Sequence, residues 1–171
     1  MRLKLRQEAE NLLDLCRQRG LMIATAESCT GGLLSAYLTA IAGASDVLER
    51  GFVTYSNAAK TEMLSVEPRI IEAVGAVSKE VALAMAAGAL LHSHAHISAA
   101  VTGVAGPGGG TEEKPVGLVH FAVAKRKAMS AGQMDYSALH HVEEFGDLGR
   151  NLVQEESVAV LLKLLRQAVE L

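Results

Sequence analysis

The run Leu21-Met22-Ile23-Ala24-Thr25-Ala26 constrains this chain most. It is too short for a core helix and carries no charge, so it reads as a strand buried on both sides. A strand covered on both faces requires helices above and below its sheet. The flanking stretches supply them. Leu5, Ala9, Leu12, Leu13 and Cys16 recur at helical spacing, and Gly20 stands where a helix-ending glycine belongs. Thr30-Gly31-Gly32 opens a second helix carrying Leu34, Leu38 and Ile41, closed by Gly43. Residues 51–55 read as a second strand. Ser56 caps a helix running through Met63, Pro68 starts a short one, and Ser78 starts a longer one through Leu91. Residues 97–102 and 118–124 are two further strands. Residues 125–134 form a polar loop, and residues 135–145 return as a fifth strand, necessarily antiparallel to the fourth. Residues 152–169 form an apolar final helix. The predicted class is α/β, a mixed and mostly parallel five-stranded sheet with helices on both faces.

A chain of 171 residues fits one domain, residues 1–171, and buries enough surface to fold without disulfides. Its two cysteines, Cys16 and Cys29, make neither a disulfide framework nor a zinc ligand set. The net charge of −3 leaves no basic excess for phosphate backbones, and the absence of Trp removes the best stacking platform, so no nucleic-acid partner is expected. The first six residues are charged with no apolar signal core, and the longest apolar run, residues 81–91, is too short to cross a bilayer. The expectation is a cytoplasmic protein with no membrane partner.

Four segments could carry chemistry. Residues 25–32, Thr25-Ala26-Glu27-Ser28-Cys29-Thr30-Gly31-Gly32, lie between a strand end and a helix start, where ligands of open α/β sheets bind. The N–H groups of that helix start favour negative charge, so Ser28 could be a nucleophile whose oxyanion is held there. The plain alternative is that Ser28 and Thr30 are only helix caps. Residues 51–60 place Lys60 in or just after the first turn of a helix capped by Ser56. The helix dipole opposes a cation there, which lowers the lysine pKa towards that of a working base, more so if the amine is partly buried, although a solvated surface lysine is the commoner case. Tyr55 could donate to an oxyanion or simply pack. The glycine-rich loop, residues 103–110, offers backbone N–H groups to an anion or is an ordinary surface connection. No Gly-Lys-Ser/Thr follows it, so it is not a P-loop. His92-Ser93-His94-Ala95-His96 has no acid or cysteine beside it to complete a metal set, and His140 and His141 fare no better.

Together these blocks resemble the CinA C-terminal domain family. Residues 25–32, residues 51–60 and the run from Thr102 to Gly117 match that family's signatures, in order, over about residues 21–124. The resemblance implies a three-layer α/β/α fold, a stand-alone member and a homo-oligomer. It implies an amidohydrolase that converts nicotinamide mononucleotide to nicotinate mononucleotide and ammonia, with a small-molecule pyridine nucleotide as its partner and no metal or cofactor. Ser28 would be the nucleophile, Lys60 the base and Tyr55 a third catalytic residue. Thr30, Gly31, Gly32, Thr102, Gly103, Gly108, Gly109 and Arg150 would bind substrate. The likeness fades after Lys125: Gly146-Asp147 is separated from Arg150, and Gln154 stands where the family has a second arginine. Two rival readings remain at this point. One is a non-catalytic protein-interaction module linked to competence or the DNA-damage response. The other keeps the fold but makes Cys29 the nucleophile, since thiolates at helix starts are activated.

Overall fold

The structure is a computed structural model and describes residues 2–127 and 135–171. Five strands, β1 (Ile23–Glu27), β2 (Leu48–Val53), β3 (Ile97–Gly103), β4 (Leu118–Arg126) and β5 (Tyr136–Glu144), form one sheet in the order β2-β1-β3-β4-β5. β2, β1 and β3 pair in parallel. β4 is antiparallel to both neighbours, so four of the five strands point the same way. The sheet is mixed and mostly parallel, as expected.

Alternation along the strands separates two cores. Ile23, Ala99, Val101, Val119, Phe121 and Val123 point to the face covered by α1 (Leu3–Arg19), α2 (Leu33–Thr39) and α6 (Arg150–Glu170). Ala24, Ala26, Ala100, Ala122 and Ala124 point to the other face, covered mainly by α5 (Lys79–Leu91) with α3 (Asn57–Leu64) and α4 (Pro68–Val74) around it. That second face is paved with alanine, so α5 can lie close on it. Gly88 carries the same closeness outward: a Cβ there would lie 2.0 Å from the Leu64 carbonyl oxygen of α3.

Three differences from the expected elements matter for the site. β2 begins at Leu48 and ends at Val53, so Thr54 and Tyr55 lie just past the strand. The Thr54 N–H donates to Glu27 O at 2.9 Å, which draws this exit against the end of β1. α6 starts at Arg150, two residues earlier than its apolar pattern, which puts that guanidinium on the first helical turn. α2 stops at Thr39, and Ile41 is buried in the short connection to a 3-10 turn over Ala44–Asp46. Of the expected polar loop, Lys125 and Arg126 extend β4, and residues 128–134 lie outside the described residues. No helix among the described residues is long and apolar enough to cross a membrane.

Candidate active site

The parallel strands β2, β1 and β3 end side by side, and the chain leaving each one turns into the same cleft. Such an edge of an α/β sheet is where ligands bind, because no strand continues to fill it. Ser28 follows β1, Lys60 sits on α3 behind β2, and the glycine-rich loop leaves β3.

Lys60 and Ser28 meet here. Lys60 Nζ lies 2.9 Å from Ser28 Oγ and 2.9 Å from the Thr54 carbonyl oxygen. Ser56 Oγ accepts from Ala59 N–H and caps α3, which fixes the turn that carries Lys60 inward. Lys60 is 1% exposed and faces no carboxylate among these contacts, and burial pushes its pKa below the ordinary lysine range. The direction is the expected one, and burial, expected to add to the helix dipole, is the largest cause. A neutral Lys60 can donate to Thr54 O while its lone pair accepts the Ser28 hydroxyl proton, the geometry a serine–lysine pair requires.

The turn after Ser28 is held by Glu27, a residue to which the motif reading gave no role. Glu27 is fully buried, and its two oxygens accept five hydrogen bonds: from Thr30 Oγ1 (2.7 Å), Gly32 N–H (3.2 Å), Leu34 N–H (3.0 Å), Ser35 N–H (2.9 Å) and Ser35 Oγ (2.7 Å). Thr25 Oγ1 meets Ser35 Oγ at 2.7 Å and extends the network. A buried carboxylate at a helix N-terminus satisfies the orphan N–H groups and matches the dipole. Thr30 and Gly32 are therefore committed to Glu27, and Gly31 N–H donates to Ser28 O at 3.0 Å. None of these three is among the residues lining the cleft, and these bonds shape the nucleophile turn.

The cleft has a volume of about 290 Å³. Ser28, Lys60, Tyr55, Asn57, Thr102, Gly103, Gly108, Gly109 and Arg150 are among its lining residues, with no Asp or Glu. Thr102 is buried and donates to Ala76 O at 2.8 Å, and so fixes the wall. Gly103 is small because β4 presses on it: a Cβ there would lie 2.7 Å from Leu118 O. Arg150 crosses the mouth, with Nη1 donating to Gly106 O at 2.9 Å and Nη2 to the hydroxyl of the exposed Tyr55. Asn57, one residue beyond the Ser56 cap, is a lining residue that the motif reading passed over.

Cys29 also borders the cleft, but burial pushes its thiol up to about 12, far from a thiolate nucleophile. The histidines have other occupations. His96 Nδ1 accepts from Met22 N–H at 2.9 Å, His92 caps α5 and meets Ser65 Oγ at 2.7 Å, and His120 and His140 contact each other at 2.9 Å. Among the described residues no group of three or more His, Cys, Asp or Glu is placed to hold a metal ion.

A five-stranded mixed sheet with helices on both faces agrees with what the chain is similar to. The profile of the CinA C-terminal domain matches residues 5–169, and the chain belongs to that family. It is 44% identical over 160 residues to a CinA-like protein of Chlorobium phaeovibrioides, covering 94% of this chain and 36% of that protein. It is 42% identical over 160 residues to a putative competence-damage inducible protein of Caldicellulosiruptor saccharolyticus, covering 94% and 36%. The chain thus spans about a third of the length of these curated relatives. Among solved structures, the competence/damage inducible protein CihA of Agrobacterium tumefaciens superposes with a TM-score of 0.91 at 45% identity, over 100% of both chains. A CinA superfamily protein of Escherichia coli superposes with a TM-score of 0.83 at 32% identity, over 98% of this chain and 90% of that one.

Proposed function

We propose that this chain is an amidohydrolase that deamidates nicotinamide mononucleotide by a serine–lysine mechanism. The observation that carries the reading is the 2.9 Å contact between Ser28 Oγ and the buried Lys60 Nζ. An ammonium so deeply buried would be poorly solvated, and no carboxylate among the described residues pairs with it, so the free amine is favoured. Lys60 then takes the Ser28 proton as Oγ attacks the carboxamide carbon. The tetrahedral oxyanion collapses, the C–N bond breaks, and Lys60 returns the proton to the leaving nitrogen, which departs as ammonia. Water enters, Lys60 deprotonates it, and the acyl-enzyme is hydrolysed to the carboxylate and free Ser28. The cleft wall suits an anionic ligand: Arg150 lines it, no acid among the described residues does, and the glycine loop presents backbone to it. The nicotinamide group itself is the substrate that the family resemblance implies. In this reading the protein works in the cytoplasm as a homo-oligomer.

The test is ammonia release from nicotinamide mononucleotide, with nicotinate mononucleotide as the matching product. The wild type should release both in equal amounts, and Ser28→Ala should lose about 10⁴-fold or more in kcat, as coupled nucleophile–base units do. A wild type that yields no ammonia, or a Ser28→Ala variant that keeps its rate, would overturn the reading.

A further inference from the structure

The backbone of the nucleophile turn leaves two N–H groups over. From Ser28 to Ser35, Ser28 N–H donates to Val101 O, Gly31 N–H to Ser28 O and Leu33 N–H to Thr30 O. Gly32, Leu34 and Ser35 all donate to Glu27. Among the described residues only Cys29 N–H and Thr30 N–H in this stretch have no partner. They follow the nucleophile directly, where acyl-transfer enzymes place their oxyanion donors. The helix start as a whole, which the motif reading assigned to the oxyanion, is occupied by Glu27.

What aims these two groups differs between them. In a trans peptide the N–H points opposite to the carbonyl of the preceding residue, so a bond to that carbonyl sets the direction of the N–H. Ser28 O, paired with Cys29 N–H, is held from within the turn by Gly31 at 3.0 Å. Cys29 O, paired with Thr30 N–H, is held from outside it: Gln154 Nε2 on α6 donates to it at 2.9 Å. We infer that Gln154 is a positioning residue that locks the Cys29–Thr30 peptide so that Thr30 N–H stands ready, beside Cys29 N–H, for the oxyanion formed on Ser28. This rests on the serine–lysine reading, but not on the identity of the amide.

An alkyl fluorophosphonate tests it without a substrate. Ser28 Oγ bonds to phosphorus, fluoride leaves, the Ser28 proton passes to Lys60, and the phosphoryl oxygen occupies the oxyanion position. Three variants separate hydrogen bonding from filling of space. Gln154→Met keeps the volume without the donor, Gln154→Glu turns a carboxylate on the carbonyl, and Gln154→Arg keeps a donor. Gln154→Met should slow Ser28 labelling about 10–100-fold, less than the 10²–10³ that follows loss of an oxyanion donor itself. Gln154→Glu should be slower still, and Gln154→Arg should return to within about threefold of wild type. On any amide the protein hydrolyses, kcat should fall with KM unchanged, because the bond matters only once the oxyanion forms. Melting curves identify any variant that fails to fold, and the remaining two still decide the matter. Equal labelling of wild type and Gln154→Met, or a wild type whose Ser28 is not labelled, would overturn the inference. Brisk labelling without ammonia from nicotinamide mononucleotide would overturn the substrate alone.

Discussion

The nucleophile turn and the glycine loop face each other across one cleft and are built on opposite principles. In the turn, six of the eight backbone N–H groups from Ser28 to Ser35 are spent inside the protein, and three of these join two hydroxyls on buried Glu27. In the loop, the N–H groups of Gly108, Gly109 and Gly110 have no partner among the described residues, and a Cβ at Gly108 would meet nothing within 4 Å. The turn is over-determined, as a site that must hold a nucleophile to a fraction of an ångström requires. The loop is left unsatisfied and accessible, as a surface that must accept an anion requires. On the proposed reading, chemistry and recognition are divided between two strand ends.

The comparison breaks hardest at Lys60, which joins the turn to the rest of the site. Lys60→Ala should lower kcat by about 10⁴ or more, and Lys60→Arg should not rescue it, because arginine stays protonated. Burial depresses the Lys60 pKa, so the wild-type rate should rise with pH along one ionisation that ends below about 10.4, the ordinary lysine value. The same shift has a sign for stability. The unfolded chain binds the Lys60 proton more tightly, so stability gains as pH rises from the folded pKa to the unfolded one. A pH–rate profile still climbing past the ordinary lysine pKa would show that Lys60 is not held neutral.

A second break goes through Glu27. Glu27→Gln keeps the shape but turns an amide NH2 on converging donors. Each donor orphaned in a buried site costs about 1–3 kcal/mol, so the loss should reach about 3–5 kcal/mol. In a protein of this size that lowers Tm by about 6–20 °C. Activity should fall as well, since Ser28 is the next residue. A Tm within about 2 °C of wild type would mean that the turn holds itself without the carboxylate.

The two regions were not equally legible. Ser28, Lys60 and the loop were legible as candidates at strand ends and behind a capped helix, but the local pattern left each an ordinary alternative, and the family resemblance chose between them. Glu27 did not stand out: an acid is expected on the surface, and its donors at positions 32, 34 and 35 fall outside the short-range pattern of an ordinary capping box. Gln154 was visible only as a missing arginine, because its partner lies 125 residues away and only the tertiary fold joins them. The weight of burial in the Lys60 shift was not legible for a related reason. Helix position is local and can be read from the motif, whereas burial is set by the packing of α3 against the ends of β1 and β2. Alternation placed the strands well, but the exit of β2 depends on the Thr54 bond to Glu27, which no pattern announces.

The loop side is tested by selectivity instead of stability. Two charge-assisted bonds from loop N–H groups to a phosphate, each contributing about 1.5–3 kcal/mol, would favour the mononucleotide over its riboside by about 10²–10⁴ in kcat/KM. Gly109 has φ +83°, a conformation costly for valine. Gly109→Val should remove most of that preference while leaving riboside hydrolysis within about threefold, since Ser28 and Lys60 are untouched. Gly108→Ala, in open space and without a positive φ, should change neither substrate by more than about threefold. A wild type that treats mononucleotide and riboside alike would mean that the open loop reads no phosphate.

The smallest effect sharpens the comparison from inside the turn. Cys29 is adjacent to the nucleophile, at a position where a thiol is often activated, yet it packs in the core shared by α1, α2 and α6. Burial pushes its pKa up to about 12, so at pH 8 only about one thiol in 10⁴ is ionised. Its side chain therefore contributes packing, while its backbone N–H and carbonyl belong to the turn, and those survive truncation to alanine. Cys29→Ala should keep kcat for ammonia release within about threefold of wild type and cost about 1 kcal/mol of stability, read from urea unfolding. Native protein should also resist iodoacetamide at Cys29 while remaining fully active. A Cys29→Ala variant that loses activity about as completely as Ser28→Ala, some 10⁴-fold, would move the nucleophile by one residue and leave Lys60 serving a thiol.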